Sequence, residues 1–218
     1  VGEYERTSTC VANAYVRPMV RRYLEQLAAG LEQLGFKGRL EIMLSDGGVC
    51  SVGTAASMPV RLIESGPAAG VRAAAFMAGQ LGLRRALSFD IGGTTAKIAF
   101  VDDGSPASCS LFEAARVDRS RQGSGLPLQI PSVELLEIGA GGGSIASIDE
   151  IGLLKVGPES VGADPGPACY GKGGTLLTTT DANLVLGALN PAAFGFGAIA
   201  LNEQAAKMAL GNFTAPLG

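Results

Sequence analysis

The sequence predicts an α/β protein whose strands gather into hairpins instead of alternating regularly with helices. Three observations carry this expectation. Leu24, Leu27, Leu31 and Leu34 recur at helical spacing, and a second, alanine-rich run extends from Ala68 to Leu81. Pairs of short apolar runs flank glycine turns, as at Ala86 to Asp90 and Ala96 to Val101. Glycine supplies 32 of 218 residues, roughly twice average usage, with no collagen period.

In chain order, residues 1–16 carry no clear period. A helix is predicted from Pro18, suited to a first turn, to Leu34, with Gly35 as its stop. Leu40 to Leu44 reads as a buried strand ending at the Asp46-Gly47-Gly48 turn. Val60 to Ile63 reads as a weaker strand. The alanine-rich helix follows, with Ser65 as candidate cap, Pro67 in its first turn and Gly82 at its end. Ala68, Gly70, Ala74 and Ala78 would form a small face for close packing on a sheet. Ala86 to Asp90 and Ala96 to Val101 form a hairpin around Ile91-Gly92-Gly93-Thr94-Thr95, and Asp102-Asp103-Gly104 closes the second strand.

Leu111 to Val117 and Val133 to Ile138 read as further strands, and the polar stretch 118–132 between them as an exposed loop. Ile145 to Ile148 and Leu153 to Val156 form another hairpin around Asp149-Glu150. Residues 157–175, dense in glycine and proline but too apolar for disorder, read as an ordered loop. Thr180-Asp181 caps a helix from Ala182 to Leu189, stopped by Asn190-Pro191, and a last helix is predicted from Glu203 to Leu210.

Composition narrows the chemistry. Hydrophobic residues at 47% and charged residues at 17% favour a packed core over disorder. A net charge of −3 provides no basic footprint for nucleic acid or an anionic membrane. Histidine is absent, which removes Ser-His-Asp and Cys-His mechanisms and His-ligated zinc from within this chain. Tryptophan is absent too. Cys10, Cys50, Cys109 and Cys169 match no zinc spacing and no disulfide framework, so idle or buried thiols of a reducing cytoplasm are expected. No apolar run reaches membrane-spanning length. The chain opens at Val1, not Met, and reads as a fragment of something longer.

Three glycine-rich segments are candidate phosphate sites. In Asp90-Ile91-Gly92-Gly93-Thr94-Thr95 a carboxylate ends a strand, two glycines free backbone N–H groups of Cβ obstruction, and two hydroxyls follow. That set suits a phosphate and its Mg²⁺; an ordinary hairpin with a glycine turn is the other reading. Gly93 is expected at positive φ. Gly139 to Ser144 resembles G-x-G-x-x-G, but Ser144 replaces the third glycine and a strand follows, which excludes a dinucleotide loop. A close backbone approach to a ligand, or a tight bend at a hinge, remains. Gly166 to Gly173 nearly spells a P-loop, yet Gly173 stands where Ser or Thr would bind Mg²⁺ and no helix follows Lys172. Asp164 and Tyr170 in this loop stay candidates for a site. Asp102-Asp103 reads as a solvated turn, and Arg116, Arg119 and Arg121 as a solvated loop.

Taken together, five ordered segments resemble the hydantoinase A/oxoprolinase family: Ile63 to Gly70, Phe89 to Thr95, Ile138 to Ala146, Gly162 to Gly171 and Thr180 to Asn183. The resemblance runs from about residue 5 to 195. It implies an ATP-dependent enzyme with the ribonuclease-H-like, two-lobed fold of actin and sugar kinases. Residues 1–83 would end the first lobe with its connecting helices, and 84–218 would start the second. Asp90 to Thr95 would be the second phosphate hairpin; the first, and the adenosine segment, would lie outside this chain.

The resemblance and the residues together nominate Asp90 as catalytic and Asp90 with Asp164 for Mg²⁺. They nominate Gly92, Gly93, Thr94, Thr95, Gly141, Gly142, Gly143 and Ser144 for ATP. Many relatives carry Asp at the positions of Lys97 and Glu134. The implied reaction is opening of a cyclic amide, a hydantoin or 5-oxoproline, through phosphorylation of its oxygen. Alternatives are the ATP-using subunit of a ketone carboxylase, a sugar-kinase-like transferase, or a structural domain inactive by itself. Implied partners are the substrate, the remaining lobe and a companion hydantoinase B-like subunit, without nucleic acid or membrane.

Overall fold

The structure, a computed structural model, describes residues 2–117 and 123–215. It is a mixed α/β fold that divides into two compact units. The first comprises Val1–Ser88 and Ile98–Leu136, the second Phe89–Lys97 and Glu137–Gly218.

The first unit begins with a 31-residue helix, α1 (Glu3–Gln33), which contains Pro18. The helix therefore starts fifteen residues before the predicted position, and the reason is visible in its contacts. Its N-terminal half is anchored by polar groups: the Thr9 hydroxyl accepts from Gln129 N–H at 2.8 Å, and Asn13 pairs with Ser57 O and Val60 N–H, each at 3.2 Å. Polar anchors leave no apolar period to read. β1 (Glu41–Met43) pairs antiparallel with β2 (Val49–Ser51) across the Asp46 to Gly48 turn, so the predicted strand is half of a hairpin and is only partly buried. α2 (Val52–Ser57) follows, its first turn capped by Ser51.

Val60 to Leu62, predicted as strand, lie in a 3₁₀ turn (Pro59–Leu62) instead. Pro59 fixes φ at its start, and Arg61 N–H returns to Met58 O at 3.1 Å. α3 (Ser65–Gln80) opens at Glu64, whose φ is 57°, so Ser65 is the first helical residue and not the cap. Its buried face is Ala68, Val71, Ala75 and Ala78; Gly70 is exposed and Ala74 half-buried, on the flank of the predicted stripe. Ala68, Val71 and Ala75 pack against Ala99, Val101 and Val133.

β3 (Arg85–Ile91) and β4 (Ala96–Asp102) are adjacent, joined by the predicted glycine turn. β5 (Ser105–Pro106) pairs with β4 across Asp103-Gly104, where Arg84 holds Asp103 at 2.8 Å in an exposed turn. β6 (Ser108–Cys109), β7 (Phe112–Ala114), β8 (Leu126–Leu128) and β9 (Ser132–Val133) form two short antiparallel pairs, β6 with β9 and β7 with β8. The predicted loop 118–132 is thus corrected: Leu128 and Ile130 are buried against Val60, with Phe112 and Ala12 beside them. Arg119 and Arg121 lie outside the described residues; Arg116 pairs with Glu113 at 2.9 Å.

β10 (Leu136–Ile138) joins the sheet in the order β10-β4-β3. In the second unit β11 (Ser144–Ile148) and β12 (Leu154–Ser160) form the predicted hairpin, with an irregularity between Ser144 and Ala146. α4 (Thr179–Val185) and α5 (Glu203–Thr214) close the chain, α5 capped by the Asn202 side chain. Here the core consists of Ala168, Leu177 and Ala209, and of Cys169, Leu184 and Ala206. No helix among the described residues is long and apolar enough to cross a membrane.

Candidate functional site

The predicted hairpin residues lie in the second unit, and the turn between β3 and β4 is solvent-facing. Asp90, the next-to-last residue of β3, is exposed, as are Gly92, Gly93 and Thr94; Thr95 is half-buried. Gly92 N–H donates to Thr95 O at 2.9 Å and closes the turn. The N–H groups of Gly93 and Thr94 and the Thr94 hydroxyl have no hydrogen-bond partner among the described residues. They are exposed donors three and four residues along the chain from Asp90.

The two turn glycines do not serve the purpose expected of them. Neither Gly92 nor Gly93 has a positive φ, which corrects the expectation for Gly93. A Cβ at Gly93 would meet nothing within 4 Å, and one at Gly92 only Thr95 O at 3.5 Å. The fold accepts a side chain at either position. What glycine preserves there is open space in front of the donors.

The second glycine segment has the opposite character. Gly142 N–H donates to Gly92 O at 2.8 Å and Gly143 N–H to Gly93 O at 2.7 Å. Gly141 N–H is held by the buried Ser144 hydroxyl at 2.8 Å. A Cβ at Gly141 would stand 2.6 Å from the Thr94 backbone, one at Gly142 2.8 Å from Thr180 Oγ1, and one at Gly143 2.7 Å from Ser160 Oγ. The close backbone approach read from the sequence is made to protein. The donors of Gly141, Gly142 and Gly143 are spent on protein oxygens, and the segment clasps the hairpin. Thr180 secures the clasp, donating from both N–H and Oγ1 to Gly142 O at 2.8 Å.

Lys97 and Glu137 stand beside the turn. Lys97 Nζ donates to Thr95 Oγ1 at 2.9 Å and lies 3.6 Å from Glu137 Oε1. Glu134 is exposed, with its N–H donating to Ala107 O. Asp164 is exposed in the loop after β12. Among the described residues no three His, Cys, Asp or Glu side chains cluster to hold a metal. Mg²⁺ does not require such a cluster, since it takes one or two carboxylates together with phosphate oxygens and water. An exposed carboxylate in the strand that leads into a turn with unpaired donors among the described residues fits that demand.

Sequence reasoning missed the centre of the adjoining loop. Asp181 is fully buried and accepts from Cys169 N–H at 2.8 Å, Ala168 N–H at 3.3 Å, and Thr178 N–H and Oγ1 at 3.0 and 2.7 Å. The cap of α4 is therefore Thr178, in a capping box with Asp181, and not the predicted Thr180-Asp181. The spacing Thr178 to Asp181 was a readable signal for the box. Nothing in the spacing pointed to residues 168 and 169. Burial and the Asp181 carboxylate push the Cys169 thiol up to about 12, which makes it inert. Tyr170 packs near Phe194, ring centres 5.8 Å apart, and burial raises its phenol. Its role in this geometry is packing.

Comparisons with known proteins relate the chain as a whole to characterised proteins. The chain is 43% identical over 219 residues to an uncharacterized protein of Methanocaldococcus jannaschii, covering 99% of this chain and 32% of that protein. It is 40% identical over 221 residues to the caprolactamase subunit alpha of Pseudomonas jessenii, covering 100% of this chain and 30% of the relative. The chain thus spans about a third of the length of these curated relatives. Among solved structures, nucleotide-free acetone carboxylase superposes with a TM-score of 0.75 at 30% identity, over 99% of this chain and 29% of that one. The ATP-dependent caprolactamase of Pseudomonas jessenii superposes at 0.72 with 38% identity, over 100% and 30%. The hydantoinase/oxoprolinase family model matches residues 6–218, and the chain belongs to that family.

Proposed function

We propose that this chain carries a phosphate-binding hairpin of an ATP-dependent enzyme, and that the whole protein opens a cyclic amide by phosphorylating the amide oxygen. The observation that carries the reading is the turn at Gly93. Among the described residues its donors have no partner and nothing lies within 4 Å of a Cβ at Gly93, whose conformation is ordinary, so the described fold has no use for a glycine there. A bound anion has such a use, because phosphate oxygens need backbone N–H groups at close range.

In this mechanism Gly93 and Thr94 N–H and the Thr94 hydroxyl hold phosphate oxygens, with Gly92 and Thr95 setting the turn. Gly141, Gly142, Gly143 and Ser144 act on the nucleotide through the hairpin they clasp. Asp90, with Asp164 as second carboxylate, would hold Mg²⁺, and the ion would supply charge neutralisation for phosphoryl transfer. A fixed turn restrains the phosphate before reaction, and phosphoryl transfer gains most from such positioning. The amide carbonyl is a poor electrophile; phosphorylation of its oxygen, with ADP leaving, activates the carbon. Water adds there, the C–N bond breaks with the ring nitrogen taking a proton, and a second water releases inorganic phosphate from the acyl phosphate left behind.

The substrate class, a lactam, hydantoin or 5-oxoproline, is supported by the caprolactamase and 5-oxoprolinase relatives. A second reading, activation of a ketone for carboxylation, is supported by the acetone carboxylase superposition and by 34% identity to an acetophenone carboxylase gamma subunit. In either reading the hairpin would open the second of two ribonuclease-H-like lobes, with residues 1–83 ending the first. Both also call for the remaining lobe, a companion hydantoinase B-like subunit and a cytoplasmic setting. The 218-residue chain by itself would then bind ATP from one side only and turn over negligibly.

The test is Asp90→Asn in the full-length protein. The change is nearly isosteric and removes the charge from the cation site. ATP hydrolysis coupled to ring opening falls by at least about 10²-fold, while the melting temperature on the same samples stays within experimental scatter. Near-normal turnover at saturating Mg²⁺ means the hairpin is not the phosphate site.

A further inference from the structure

We infer that Lys97 is a positioning residue for the nucleotide, acting through the Thr95 hydroxyl and not by touching phosphate itself. The inference deepens the hairpin reading above and rests on it. Its basis is the direction of one hydrogen bond. An ammonium has three donors and no acceptor, so in the 2.9 Å contact between Lys97 Nζ and Thr95 Oγ1 the hydroxyl is necessarily the acceptor. With a lone pair engaged by a cation, the hydroxyl turns its own proton away from Lys97. It becomes a polarised donor at the end of the turn, in series with the free N–H groups of Gly93 and Thr94.

Glu137 completes the arrangement. Its carboxylate lies 3.6 Å from Nζ, with the Lys97 side chain only 16% exposed. The ammonium thus lies against both Glu137 and Thr95, and the hydroxyl takes one of its donors. A solvated strand lysine would be free to sample many rotamers; this one is fixed within the unit that carries the hairpin. The sequence position, two residues past Thr95, suggests a charge aimed at phosphate. The geometry points instead to an indirect role, in which the charge acts on the donor strength and orientation of Thr95.

A double-mutant cycle in the full-length protein tests this, read as MgATP dissociation constants by calorimetry, with melting temperatures in parallel. Lys97→Met and Thr95→Val each weaken MgATP binding about 10-fold, the scale of losing a hydrogen bond to a charged partner. The double variant is no weaker than Thr95→Val alone, because Lys97→Met disorients the same donor that Thr95→Val deletes. Lys97→Arg restores binding to within about 3-fold, since it keeps a charged donor. Additive losses of about 100-fold in the double variant would show direct contact with phosphate and overturn the inference. So would a Lys97→Met protein that melts lower yet binds MgATP normally while Thr95→Val binds poorly. If Thr95→Val and Asp90→Asn also bind normally, the hairpin reading itself fails, a separate outcome. Should Lys97→Met not fold, Lys97→Leu, which likewise removes the donor and the charge, carries the same cycle.

Discussion

Gly93 and Gly141 sit in neighbouring glycine-rich segments, and the protein needs glycine at one of them for folding. At Gly93 a methyl group would enter open space in an ordinary conformation. At Gly141 it would stand 2.6 Å from the Thr94 backbone, closer than carbon atoms can approach without movement. Gly93→Ala is therefore expected to leave stability unchanged or raise it by up to about 1 kcal/mol, by narrowing the unfolded ensemble. The same variant weakens MgATP binding in the full-length protein. Gly141→Ala is expected to cost about 1–3 kcal/mol through overpacking. Thermal unfolding and nucleotide binding on both variants check the pair, and the reverse pattern would exchange their roles. Both segments were legible in the sequence as places where backbone approaches something closely. Which of them faces protein depended on contacts between residues some fifty positions apart in the chain.

At the scale of elements, α1 shows where pattern reading stops. Pro18 looked like a helix start because its ring fits a first turn; here it lies within a helix that begins at Glu3. Proline inside a helix lacks the N–H that would serve the carbonyl four residues earlier. Pro18 is exposed, so its replacement removes no packing. Pro18→Ala should therefore stabilise the protein by up to about 3 kcal/mol, measured by denaturant unfolding. An unchanged or lowered stability would mean that the helix is not continuous through this position. The same limit explains Val60 to Leu62. Their β-branched and apolar content suggested a strand, but Pro59 and the Asn13 side chain settle them as a 3₁₀ turn. Leu128 and Ile130 were hidden within a polar stretch, and only their packing on Val60 reveals them as core. By contrast, α5 and the hairpins around Gly92-Gly93 and Asp149-Glu150 were readable, since local turn and cap chemistry decides them.

For the molecule as a whole, the second unit depends on one buried carboxylate network, and its pH response follows. Folded Cys169 keeps its proton to about 12, whereas an unperturbed thiol loses it near 9.0. Between these values the unfolded state binds fewer protons than the folded one. The stabilisation is thus fully present below pH 9 and is lost as pH rises towards 12. Denaturant unfolding from pH 8 upward should show a steeper alkaline decline in the parent protein than in Cys169→Ala. Equal slopes would show that Cys169 titrates alike in both states. Cys10, exposed on α1, should react with a thiol reagent in the native protein while Cys169 does not.

The sequence by itself determined the mixed α/β class, the two central hairpins, the helices around 68–81 and 203–210, and the family, because each rests on short-range pattern or on ordered motifs. The tertiary structure alone decided three things. It placed the Gly141 to Gly143 donors on hairpin carbonyls and left those of Gly93 and Thr94 open. It turned Lys97 onto Thr95. It gave Asp181 a second set of partners at residues 168 and 169. In all three the partner of a polar group lies in a segment or direction that linear spacing does not specify, and a buried donor or acceptor left without one costs the folded state about 1–3 kcal/mol.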